Sequence, residues 1–144
     1  MMKRVHGKDQ FQRNMQKIDA NIILRYLLND HAERSPKARE IIDHNIVEVP
    51  IEVLCEVIFV LKGHYEIDRQ NISDRLKYFF AQTQCILPNR DAVLQGLEYY
   101  GQKSLDFVDC VLAGYADVDK DVIFTFDDKL QKLIHQITHP EQEK

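Results

Sequence analysis

Three cysteines in 144 residues, none of them in a C-x-x-C pair, argue against both a disulfide framework and a zinc–thiolate site. Cys55, Cys85 and Cys110 sit in the apolar contexts VLCEVI, TQCILP and VDCVLA, so they read as small buried hydrophobes of a reducing compartment. No apolar run is long enough to cross a bilayer. The polar opening MMKRVHGKDQFQRNMQ also lacks the apolar core of a secretory signal. A cytoplasmic protein with no membrane partner is therefore expected. Positive charge is not in excess either. The formal net charge is −4, which removes any whole-surface electrostatic argument for nucleic-acid binding. A local argument survives, because carboxylates gathered around a divalent cation contribute negative charge of their own. G-x-S-x-G, Walker A and G-x-G-x-x-G are missing, so serine hydrolase, P-loop and dinucleotide-binding readings have no support. The chain shows no internal repeat and no low-complexity segment.

The length suits one domain, and 44% hydrophobic with 29% charged residues is an ordinary globular balance. Residues 1–14 carry no periodic apolar pattern and are expected to form an N-terminal extension outside the fold, with the domain spanning 15–140. From Gln16 onward, short strand-like steps alternate with amphipathic helical stretches. The expected strands are residues 16–18, IVEVP, CILP and DVIFTF, the last strongly β-branched and aromatic. Helices are expected on the face of Ile22, Ile23, Tyr26 and Leu27, within HAERSPKAREIIDH after a loop, and through IEVLCEVIFVLKGHY, IDRQNISDRLKYFFAQT, NRDAVLQGLEYYGQ, the small-residue-rich LDFVDCVLAGYADV, and DDKLQKLIHQI. Such alternation predicts an α/β fold, a parallel sheet with helices on both faces.

In open sheets of this kind, ligands bind beyond the carboxyl ends of the strands. Acidic residues collect at those places. Asp19 follows the first strand, and Asp127 and Asp128 follow the last. Asp106 and Asp109 stand three apart at the head of a helix, on one face. Glu52 and Glu56 stand four apart on the helix after strand two, with Glu56 set among Val53, Leu54, Cys55, Val57 and Ile58. Several carboxylates aimed at one place repel one another unless a cation joins them. Oxygen donors of this kind suit Mg²⁺ or Mn²⁺, which points to metal-dependent phosphoryl transfer or hydrolysis.

Each acid also has a structural reading. Asp106 fits an N-cap with Asp109 at N3, Asp127 fits a helix N-terminus, Glu52 fits a first-turn acid, and Glu56 fits a carboxylate reaching solvent at the edge of its helix. His135 and His139 have the spacing of two helix-borne ligands but lack an evident third, so an exposed pair is expected. Tyr26, Phe59, Phe79, Phe80 and Phe107 fall at helical spacing and are expected in the core. Tyr65, Tyr99 and Tyr100 offer faces for base stacking but fit half-buried packing better. Arg25, Lys37, Arg39, Lys62, Arg69, Lys103 and Lys129 are the basic residues available to an RNA backbone.

DANIILRYLLND, VPIEVLCEVIFVL, LDFVDCVLAGYA and IFTFDDKL, in this order, resemble a PIN-domain ribonuclease of the VapC type, the toxin half of bacterial toxin–antitoxin pairs. The resemblance covers Met15 to about Ile137. It implies a three-layer α/β/α fold around a parallel sheet of four to five short strands. It also implies Mg²⁺- or Mn²⁺-dependent cleavage of RNA, with tRNA or rRNA as targets, a homodimer, and inhibition by a cognate antitoxin protein. By position it implies Asp19, Glu56, Asp109 and Asp127 as the catalytic acids. Asp19, Asp109 and Asp127 would be the metal ligands, Asp106 a secondary one, and Asn21 and Thr125 supporting residues. The antitoxin would lay a helix against Leu24, Leu27, Leu28 and the helix from Ile51 to Leu61. Alternatives are a housekeeping nuclease of the same fold acting on RNA or DNA without an antitoxin, and a non-catalytic interaction domain.

Overall fold

The computed structural model describes residues 15–143; the expectation for residues 1–14 lies outside them. Strand β1 (Gln16–Lys17) pairs in parallel with β2 (Val47–Glu48), Gln16 opposite Val47 and Lys17 opposite Glu48. The Lys17 ammonium meets the Glu48 carboxylate at 3.2 Å on this small sheet. Beyond β2 a third segment joins through one residue. Val49 N–H donates to the Ile86 carbonyl at 2.8 Å, and Ile86 N–H donates to the Val47 carbonyl at 2.7 Å. Glu48 and Ile86 form an isolated parallel bridge.

The sheet is thus narrower than expected. Among the described residues two strands and one bridge form, where the resemblance implied four to five strands. The CILP step contributes only Ile86. The DVIFTF step forms no ladder at all, and Val122, Phe124 and Phe126 stand 79%, 94% and 102% exposed. The reason is that β propensity measures fit to a pleated, half-buried surface, and this segment meets none. It leaves the preceding turn through Lys120 at φ 61°. Its own backbone bonds are local: Asp121 N–H donates to the Tyr115 carbonyl at 3.2 Å and Asp127 N–H to Thr125 Oγ1 at 3.0 Å.

The helices follow the periodicity closely. Helix α1 (Ala20–Leu28) starts at Asp19 and ends at Asn29, whose φ of 51° suits a left-handed cap. Helix α2 (Arg34–His44) carries Pro36 in its first turn, where no N–H is needed. Helix α3 (Ile51–Gly63) buries Leu54, Val57, Ile58 and Leu61, one apolar stripe at i, i+3, i+4 and i+7. Helix α4 (Arg69–Gln82) is N-capped by Asp68, and α5 (Arg90–Gln102) follows the bridge segment. Helix α6 (Phe107–Gly114) runs on into a π-helical turn (Tyr115–Asp119). Helix α7 (Asp128–Thr138) is capped by Asp127, and a 3₁₀ turn (Pro140–Glu143) follows.

Ile23, Leu54, Ile72, Leu76, Leu97 and Leu130 are fully buried in one continuous core. Two contacts fix where α6 lies. Gly114 brings α6 so close to α5 that a Cβ there would stand 2.1 Å from the Ala92 carbonyl oxygen. Arg69, at the head of α4, stacks its guanidinium 3.8 Å above the Tyr100 ring. It donates from Nε to the Tyr100 carbonyl at 2.9 Å and from Nη2 to the Leu105 carbonyl. One side chain therefore ties α4 and α5 to the residue just before Asp106.

Candidate active site

Asp109 lies in the first turn of α6, with Phe107, Cys110 and Val111 buried around it. Its carboxyl group is pushed above the ordinary carboxylate value, first by burial, then by the charges of Asp127 and Asp106. The packing of α6 on α7 therefore brings the charge of Asp127, like that of Asp106, to bear on Asp109. Asp106 occupies the N-cap position of α6 but its side chain caps nothing, so the capping-box alternative does not form. Asp127 does cap: Leu130 N–H donates to its Oδ1 at 2.8 Å. Thr125 sets up that geometry through its hydroxyl bond to Asp127 N–H, and Gln131 Nε2 bonds the Thr125 carbonyl.

The other two candidate acids, Asp19 and Glu56, are exposed. Asp19 caps α1, accepting from Ile22 N–H at 3.1 Å. Asn21 is exposed beside it. Glu56 is exposed on the outer side of α3, away from the buried stripe. Carboxylate oxygens have the right chemistry for Mg²⁺ or Mn²⁺. The spacing does not complete a site, because among the described residues no three His, Cys, Asp or Glu side chains are placed to hold a metal ion.

Several other sequence readings resolve here. His135 and His139 stack at 4.5 Å between ring centroids on the far end of α7. Arg25 pairs with Asp30 at 2.7 Å and donates to the Tyr65 hydroxyl at 3.0 Å, which occupies it within the fold. Tyr100 is buried, and Tyr99 donates its hydroxyl hydrogen to Asp117 at 2.6 Å, so both pack inside the domain. Cys85 and Cys110 are buried free thiols, and burial pushes Cys110 up to about 12. Leu24, offered above as a groove residue, is buried.

Phe59 departs from its expected place in the core: it is 78% exposed. It lines a groove of about 430 Å³ between α3 and the head of α6, together with Lys62, Val108 and Asp106. The helical spacing held the signal, since Phe59 lies three residues after Glu56 and off the stripe of Leu54, Val57, Ile58 and Leu61.

A small parallel α/β layer with acidic helix N-termini beside it defines a class of domain rather than an activity. Comparison with family models gives a match to the PIN domain over residues 18–135. The chain belongs to the PIN domain family, whose members are generally metal-dependent nucleases. Comparison with curated proteins and with solved structures gives no match. No helix among the described residues is long and apolar enough to cross a membrane.

Proposed function

We propose that this PIN domain is a Mg²⁺- or Mn²⁺-dependent endoribonuclease that hydrolyses RNA phosphodiester bonds, acting as the VapC-type toxin of a toxin–antitoxin pair. The observation that carries the reading is the family match over residues 18–135, supported by the charges of Asp127 and Asp106 acting on Asp109. Uncompensated like charges in range of one another are what a cation-binding nuclease site presents before its ion. Asp109 and Asp127 are the central acids of this reading, Asp106 supports them, and Thr125 positions Asp127 through its backbone. Asp19 and Glu56 complete the acidic set by family position, with Asn21 beside Asp19. The cytoplasm, a homodimer and a protein antitoxin belong to the same reading.

The non-catalytic alternative draws on one observation, the absence of a three-residue metal group among the described residues. One experiment separates the two. Purified protein is incubated with a pool of tRNA and rRNA in Mg²⁺ or Mn²⁺, with EDTA and Asp109→Asn as controls. Cleavage lost in both controls supports the nuclease. Absence of cleavage together with no divalent-ion binding by calorimetry refutes it and favours an interaction domain. Co-purification with the product of an adjacent small reading frame, and inhibition by it, separates a toxin from a housekeeping nuclease.

A further inference from the structure

The groove between α3 and the head of α6 shares Asp106 with the acidic residues. We propose that it is a subsite for one unpaired nucleotide of the substrate strand. The base lies against Phe59 and Val108, and the phosphate on the Lys62 ammonium. This rests on the nuclease reading and adds to it a requirement for single-stranded RNA at that position.

Four observations converge. The groove encloses about 430 Å³, within the range of small-ligand sites. Its two walls expose apolar surface that a folded chain normally buries: Phe59 is 78% and Val108 57% exposed, from different helices. Lys62, three residues after Phe59 on the same side of α3, is exposed and makes no ion pair among the described residues. The neighbouring cation, Arg69, is instead committed to two backbone carbonyls and the Tyr100 ring. Asp106 lines the groove, three residues before Asp109 on the same helix head, so the groove adjoins the acids.

The combination favours a nucleotide over a peptide. Aromatic faces accept any base by stacking, and a lysine beside them supplies a positive charge for the phosphate. A base paired in a duplex cannot enter, because its face is already stacked. The groove therefore selects loops and single strands.

The test uses the full chain and a fluorescein-labelled RNA hexamer, single-stranded or as a blunt duplex, read by anisotropy in Ca²⁺ buffer. Phe59→Ala is expected to weaken single-strand binding about tenfold. Lys62→Ala should weaken it severalfold and flatten its salt dependence. Neither should change duplex binding. Lys132→Ala, on α7 beside another surface hollow, should leave both unchanged. Phe59 is exposed, so its variant keeps the fold, and a thermal melt checks this. Equal binding by Phe59→Ala and wild type overturns the proposal. So does a Phe59→Ala variant that turns a dimer into a monomer while RNA affinity holds, which would make the groove a contact between copies. Wild-type cleavage with an unaffected Phe59→Ala variant removes the subsite alone. Failure of the wild type both to cleave and to bind RNA removes the nuclease reading and the subsite together.

Discussion

Gly114→Ala should damage both the fold and the acidic cluster, and the structure sets the size of the effect. The added methyl would stand 2.1 Å from the Ala92 carbonyl oxygen and 3.1 Å from Gly96 N, both backbone atoms of α5. No side chain can rotate out of the way. Restoring ordinary contact requires α6 to withdraw from α5 by about 1 Å, and overpacking of this kind costs about 1–3 kcal/mol. Backbone meeting backbone places this case near 3 kcal/mol, or a fall in Tm of about 10 °C for a chain of this length. Gly63→Ala is the control, since its Cβ would meet nothing within 4 Å and α3 should gain about 0.5 kcal/mol from the better helix former. Urea unfolding followed by circular dichroism measures both. Because α6 carries Asp106 and Asp109, Gly114→Ala should also lower cleavage at temperatures where the variant is still folded. A loss below about 0.5 kcal/mol for Gly114→Ala, on the scale where overpacking matters, would refute the close approach of α5 and α6.

Three further outcomes follow from the site. Asp127→Ala removes the cap on Leu130 N–H and should cost about 1 kcal/mol, whereas Asp127→Asn keeps a capping oxygen and should be near neutral in urea unfolding, with cleavage lost in both. Asp109 has a folded pKa above its unfolded one, so the wild type should lose stability relative to Asp109→Asn as pH rises from about 3.9 through the raised value. Denaturation midpoints of the two proteins between acid and neutral pH show this, and a difference that shrinks with pH would contradict it. Arg69→Met leaves the Tyr100 and Leu105 carbonyls without their charged donor and should cost about 3 kcal/mol. Arg69→Lys should not recover it, because an ammonium lacks the planar fork that reaches both carbonyls; thermal melts compare the three.

The helices were legible because their signal is local. The stripe of Leu54, Val57, Ile58 and Leu61 and the Asp68 and Asp127 caps act within a few residues, so the sequence alone determined where α3, α4 and α7 lie. Asp106 and Asp109 were legible as a pair for the same reason, being three residues apart on one helix. Only the tertiary structure decided the rest. A strand exists when another strand meets it, and the apolar 121–126 segment meets none while CILP keeps one bridge. Which carboxylates come near Asp109 depends on helix packing: the Gly114 contact and the Arg69 anchor set α6, and Asp127 acts on Asp109 across the α6–α7 contact. Residue type and spacing fix which side chains share a face of one helix. Which faces meet is set by close packing between elements distant in the chain, and no local pattern contains it.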